Sequence, residues 1–325
     1  MKLTEVAASD FDLAKTLDSG QVFHWERIGK GFCGAIGDQA VYVEQCGDVL
    51  KVRCAGTATR SPRRPLPRIT AHYFALDHRL AEICASFPED ALMQGAREFC
   101  RGLRIIRQPR WECLATFVCS SMKQVAHIRQ ISHALRRRFG EQRKIDKYEL
   151  YSFPSAERIA GRSEKDLREC ALGYRAKNLL ATAWIVSSGE ADLEAWAALS
   201  DVDLRAKLCA LPGVGAKVAN CVMLFAYERL RAFPIDVWIE RVLREKYFPR
   251  ARKLKASQLR IFAQEYFGEQ GGYAQQYLFH HARMSARRKR AIEVNRPYLK
   301  RDDDKSRGGL PNHPHEQRNL SAPRR

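Results

Sequence analysis

The chain has 325 residues, 45% of them hydrophobic and 29% charged, which fits a globular protein with two or three packed subdomains. Lys and Arg outnumber Asp and Glu 56 to 37, and the net charge of +19 suits a polyanionic partner, with nucleic acid the usual one. No apolar run is long enough to span a bilayer, and Met1-Lys2-Leu3 leads into Glu5, Asp10 and Asp12 rather than a signal peptide, which argues against membrane insertion and export.

Residues 9–54 read as an antiparallel meander. The runs 21–27, 32–36, 40–45 and 49–54 are rich in Val, Phe, Tyr and Trp and are separated by Gly-containing turns. Residues 56–68 hold three prolines and four arginines and read as a linker or exposed loop. From Ala71 the pattern turns helical. Leu76, Leu80, Ile83 and Cys84 share one face, residues 111–123 form an apolar helix, and residues 125–139 carry Ile128, Ile131 and Leu135 opposite Arg136–Arg138. The last helices are expected at 256–268 and 272–284. From Ser285 the composition shifts to basic runs, Asp302-Asp303-Asp304, Gly, Pro, Asn and His, a tail unsuited to packing. That tail has twelve Lys/Arg and five Asp/Glu, so +12 of the net charge stays on the body. The ten cysteines form no CxxC, and none follows Cys221. They read as reduced core thiols, with no zinc and no cluster expected.

Residues 211–241, LPGVGAKVANCVMLFAYERLRAFPIDVWIER, organise the chain. Pro212 ends the preceding helix because it lacks an N–H. Gly213 and Gly215 permit positive φ and close approach of another backbone. Glycines beside a helix start turn backbone N–H groups outward, toward a phosphate oxygen. This is a helix-hairpin-helix pattern, which grips a DNA backbone without reading bases. Lys217 falls in the first turn of the following helix, where the helix dipole disfavours an ammonium and so favours a nucleophilic amine that can form a Schiff base. Asp236 stands at an N-cap position, where a carboxylate could face a developing sugar cation or take a proton. The plainer alternatives are a solvated lysine and a structural cap.

The segment LPGVGAKVANC…AFPIDVWIERVL resembles the core motif of the helix-hairpin-helix DNA glycosylases, and its Lys-bearing form is similar to the 8-oxoguanine DNA glycosylases and endonuclease III relatives. The likeness runs from about Asp12 to Arg283. It implies that Lys217 attacks C1′ of the damaged nucleotide and that Asp236 supports the attack. SGQVFHW, residues 19–25, resembles the SGQ-F-W motif of the 8-oxoguanine family, which makes the Gly20 carbonyl the acceptor for N7–H of the oxidised base. Cys221, one turn beyond Lys217, and Phe279 would sandwich that base, and Gln275 would hydrogen-bond its Watson–Crick edge. ALGYRAKNL, residues 171–179, resembles the family's GYR, so Tyr174 would wedge into the stack and Arg175 would contact the orphaned cytosine. RIIRQPRWECLATFVCSS, residues 104–121, is also similar, but the three asparagines that follow it in the family are Met122-Lys123-Gln124 here. Met122 would plug the hole left by the flipped nucleotide, and His127 stands where the family has an orphan-reading arginine. Trp238 replaces a phosphate-contacting histidine.

The resemblance implies an α+β fold: an N-terminal antiparallel sheet domain (1–110), an all-helical helix-hairpin-helix glycosylase body (111–284) and a basic tail (285–325). It implies a bifunctional DNA glycosylase/AP lyase excising 8-oxoguanine from duplex DNA through a Lys217 Schiff base. The expected setting is intracellular and DNA-associated, as a monomer. No iron–sulfur cluster or other cofactor is expected, beyond a structural monovalent cation at the carbonyls of Cys209, Leu211 and Val214. The alternatives are a glycosylase for another damaged base and a non-catalytic helix-hairpin-helix binding protein.

Overall fold

Turn glycines and alternating side chains build the first layer of the fold. The computed structural model describes residues 3–54, 65–120, 123–251 and 253–294. Strand β1 (Thr4–Ala7) is followed by helix α1 (Leu13–Asp18) and by β2 (Glu26–Ile28), β3 (Gly31–Ile36), β4 (Gln39–Cys46) and β5 (Val49–Cys54). The sheet is antiparallel in the order β1-β5-β4-β3-β2. Its register sets Phe32 opposite Val43 and Val43 opposite Val52. With a side-chain period of two, these residues share one face, which packs on Leu13, Leu17, Trp25, Phe74 and Ile106.

Two expectations for this region need correction. Residues 9–20 are not β-structure but contain α1, capped by the Asp12 side chain. Residues 21–25 do not form a strand either. The Gln21 side chain donates to Thr16 O, Ser19 Oγ and Arg104 O and accepts the Ile106 N–H, so its segment is held by the preceding turn and by a distant loop instead of a ladder.

The helical part comprises α2 (Leu66–Tyr73), α3 (Leu80–Ala85), α4 (Ala91–Phe99), α5 (Arg110–Cys119), α6 (Val125–Phe139), α7 (Ala156–Ala160), α8 (Glu164–Leu167), α9 (Arg175–Ser187), α10 (Asp201–Cys209), α11 (Ala216–Tyr227), α12 (Val237–Val242), α13 (Ala256–Phe267) and α14 (Gly271–Val294). Helix α2 opens inside the expected linker, because proline is tolerated in a first helical turn. The body is also not wholly helical. Strands β6 (Gln142–Ile145) and β7 (Tyr148–Tyr151) form a hairpin whose Ile145 covers the second face of the sheet at Cys33, Ala40 and Tyr42. Arg53 and Asp146 fix it at 2.5 Å. The described residues up to Ser285 form one compact unit. Among the described residues no helix is long and apolar enough to cross a membrane.

Helix α11 is the axis of the body. Its residues Val218 to Phe225 are all buried, which fits a helix with neighbours on every side, α5 and α10 among them. One loop residue ties this helix to the N-terminal layer. The Gln108 backbone N–H donates to the Phe225 carbonyl at 2.8 Å, and its Nε2 donates to the Gln21 carbonyl at 2.8 Å.

Candidate active site

The hairpin between α10 and α11 is shaped from within. Gly213 has φ +79°, and a methyl built on it would lie 2.8 Å from Asn178 Cβ on α9, so both conformation and packing require glycine there. The Thr182 hydroxyl donates to the Pro212 carbonyl at 3.0 Å and pins the turn to α9. Gly215 differs from expectation. It is the extended N-cap of α11, with φ −97°, and a methyl there would meet nothing in the protein. That side of Gly215 faces open space.

Lys217, half-buried in the first turn of α11, donates through Nζ to Ser120 Oγ at 3.3 Å and lies 5.1 Å from the centre of the Phe117 ring. The Ser120 hydroxyl is oriented by its own bond to the Phe117 carbonyl at 2.7 Å. Neither Ser120 nor Phe117 stood out in the sequence as a holder of the lysine. Both end an apolar helix that reads as core, and only its packing against α11 brings them to the amine. Asp236 caps α12, with Oδ1 accepting the Ile239 N–H at 2.8 Å. Burial holds this carboxyl above its ordinary value, partly offset by the Ile239 N–H and by the charge of Lys217, which is near enough to act on it. Cys221 is buried, and that burial pushes its thiol up to about 11 against the opposing influence of Lys217. At neutral pH it is a thiol, not a competing nucleophile.

A second group of residues gathers at the start of α14. Gly20 has φ +90°, and a methyl on it would lie 3.1 Å from Phe279 Cε1 and 2.7 Å from Arg283 Nη1. The two side chains flanking Gly20 both point inward. Ser19 Oγ donates to the Thr16 carbonyl at 2.8 Å, while Gln21 bonds to the Arg104 carbonyl and the Ile106 N–H. The motif's serine and glutamine thus lock the backbone that presents Gly20. Gln276 Nε2 donates to the Ser19 carbonyl at 3.1 Å and fastens α14 to this turn. Its neighbour Gln275 is 4% exposed and its Oε1 has no hydrogen-bond partner, so a buried acceptor stands ready on the Phe279 side of the helix. The Phe117 ring that faces Lys217 packs edge-on against Phe23 and stacks on Phe225.

Tyr174 projects at 59% exposure from the start of α9, beyond a sharp kink at Ala171 and Gly173. Arg175 is buried. Its guanidinium lies 4.3 Å from the Tyr174 ring centre and donates to the Leu172 carbonyl at 3.3 Å, an arrangement that braces the tyrosine. Arg175 also acts electrostatically on Cys119, so it sits beside the end of α5. His127 is exposed in the first turn of α6. Met122 lies outside the described residues. Trp238 packs under Arg241 at 5.7 Å.

Among the described residues no group of three or more His, Cys, Asp and Glu could hold a metal. The hairpin carbonyls are a different donor set. Cys209 ends α10, so its carbonyl is one that the helix leaves unpaired internally. Leu211 O accepts the Val214 N–H at 3.1 Å and keeps a second lone pair. Neutral oxygens of this kind fit a monovalent cation.

Comparison with known proteins shows what the chain is similar to. The family described as "8-oxoguanine DNA glycosylase, N-terminal domain" matches residues 4–114, and "HhH-GPD superfamily base excision DNA repair protein" matches residues 115–267. An Arabidopsis thaliana protein named N-glycosylase/DNA lyase OGG1 is 30% identical over 295 residues, covering 86% of this chain and 78% of that protein. A solved structure of MBOgg1 in complex with a low-affinity DNA ligand is 30% identical with a TM-score of 0.80, covering 88% of this chain and 100% of that one. The 8-oxoguanine glycosylase/lyase of Clostridium acetobutylicum, solved with duplex DNA containing cytosine opposite 8-oxoG, is 28% identical with a TM-score of 0.79, covering 88% of this chain and 100% of that one.

Proposed function

The chain belongs to the 8-oxoguanine DNA glycosylase/lyase family, and from that premise we propose that it excises 8-oxoguanine from duplex DNA and cuts the strand through a Schiff base on Lys217. The observation that carries this reading is the fixed amine: Lys217 Nζ is held by Ser120 and the Phe117 ring, within electrostatic reach of Asp236.

The outward N–H groups of the hairpin and the positive charge of the body hold and bend the duplex. Tyr174, braced by Arg175, enters the stack as the damaged nucleotide leaves it, offsetting a few kcal/mol of lost stacking. The base enters a pocket formed by Gly20, Cys221, Gln275 and Phe279. Gly20 supplies a carbonyl acceptor for N7–H, which normal guanine lacks, and Gln275 supplies donor and acceptor groups. Discrimination follows because a buried group left unpaired by the wrong base costs about 1–3 kcal/mol.

The free amine of Lys217 attacks C1′. The C1′–N9 bond breaks, its electron pair leaves with the base, and the base takes up a proton. The aminal opens to an imine with release of O4′. Loss of a proton from C2′ then expels the 3′ phosphate by β-elimination. Asp236 faces the positive charge that grows on the sugar. A monovalent cation on the carbonyls of Cys209, Leu211 and Val214 would add positive charge where the hairpin meets a phosphate. In this reading the exposed His127, at the start of α6, contacts the opposite strand.

The test is borohydride trapping. A duplex with 8-oxoguanine should give a covalent complex with the protein, and Lys217→Gln should abolish it. No trapped complex with this or any other lesion would overturn the reading.

A further inference from the structure

On one face of α14 stand Gln275, Phe279 and Arg283, four residues apart in turn, which is helical spacing for a continuous stripe. The pocket reading above uses the first two. The third is an arginine only 9% exposed, set against Gly20 and the Phe279 ring. Its Nη1 lies 2.7 Å from where a methyl on Gly20 would be, so the guanidinium rests directly against the bare face of that glycine. Its carbon lies 5.4 Å from the Phe279 ring centre, and its Nη2 donates to the Asp18 carbonyl. Val125 Cγ2 closes the same corner, 3.5 Å from the methyl position. The bond to Asp18 fixes one end of the fork and keeps Nη1 beside Gly20.

Resting on the proposed function, we infer that Arg283 is a specificity-determining residue that donates from Nη1 to the carbonyl oxygen at position 6 of the flipped purine. The major-groove edge of guanine carries an acceptor at O6, and adenine carries an amino donor in its place. Oxidation at C8 puts a proton on N7 in both. A Gly20 carbonyl alone reads N7–H and cannot tell oxidised guanine from oxidised adenine. A guanidinium donor against the Cα face of Gly20, together with the carbonyl of the same residue, presents donor then acceptor, the complement of O6 then N7–H. Against 8-oxoadenine the same guanidinium meets an amino group, donor against donor. A charge-assisted bond in a water-poor pocket is the strong kind, so its presence or absence changes rate substantially.

The experiment compares single-turnover excision of 8-oxoguanine and 8-oxoadenine, each in the same duplex, by the full chain and by Arg283→Met and Arg283→Lys. Binding of a duplex with a tetrahydrofuran abasic analogue serves as the base-independent readout. Arg283→Met should lower excision of 8-oxoguanine roughly tenfold to a hundredfold, the loss expected for one charged hydrogen bond. Excision of 8-oxoadenine should change far less, and abasic binding should hold. Arg283→Lys should restore part of the preference for 8-oxoguanine, because a donor returns. Should Arg283→Met fail to fold, Arg283→Lys decides alone by a partial fall on 8-oxoguanine without one on 8-oxoadenine. Equal losses on both bases, or no loss on either, overturn the inference and leave the proposed function standing. A native chain that excises neither base overturns both.

Discussion

The two ends of the proposed pocket are built in opposite ways. The reacting end is local: Lys217, Cys221 and Asp236 fall within twenty residues, on α11 and the cap of α12, and a hairpin fixes the first of these helices. The recognition end is assembled from afar. Gly20 meets Phe279 and Arg283 across more than 250 residues, and the Gln276 bond to Ser19 spans the same distance. The reacting end needs its amine and carboxylate at one spacing, which a short rigid motif supplies. The recognition end needs a closed wall of unlike chemistry, which no single segment offers. Gln108 joins the two, holding Phe225 of α11 with its backbone and the Gln21 carbonyl with its side chain.

If this division is right, damage to the reacting end should remove chemistry and spare stability, and damage to the recognition end should trade one for the other. The largest effect is expected from Asp236→Asn. Strand cleavage should fall by at least about a hundredfold while duplex binding survives, because removing one preorganised charge at a transition state costs that much. Equal loss of cleavage and binding would make Asp236 a structural cap. The same variant carries a pH test. Burial raises the Asp236 carboxyl, so activity should fall on acidification at a pH above the ordinary carboxylate range, and Asn should abolish that limb. An acid whose folded pKa is raised favours the fold while protonated, and that contribution is lost as pH rises through the folded value. Asp236→Asn, which keeps a good N-cap, should therefore gain stability relative to the native chain on going from acid to neutral pH, read by denaturant midpoint.

Next comes Gly213→Ala. It forces a left-handed residue against Asn178 and should lower stability by about 1–3 kcal/mol, measured by urea unfolding, with weaker binding of undamaged duplex. Full stability would mean that the turn can relax. Ser120→Ala should lower the rate of borohydride trapping several-fold, about the worth of one hydrogen bond, without changing duplex affinity. An unchanged rate would show that the Phe117 ring and helix alone orient the amine. The smallest effect concerns Gln275→Met. Removing a buried oxygen that has no partner should raise the stability of the unbound chain by about 1 kcal/mol while slowing excision. Lower stability with normal excision would place Gln275 in the fold and not in recognition.

The class of fold and the hairpin were legible in the chain, and so were the two residues proposed to react. A Gly-rich turn, a first-turn lysine and a capping aspartate act through backbone geometry that is settled within a few residues. The meander of β3, β4 and β5 was legible for the same reason, since alternation and turn glycines are local. Residues 21–25 and the opening of α2 were not, because distant hydrogen bonds and a tolerated proline override local preference there. What surrounds the Lys217 amine and the Gly20 turn came from packing across the fold. Ser120, Phe117, Gln108 and Arg283 look like core or surface positions in the chain, and each gains its place from what packs against it. Hydrogen bonds and burial are properties of three-dimensional neighbours, and α5, α11, α14 and the Gly20 turn become neighbours only when the core closes.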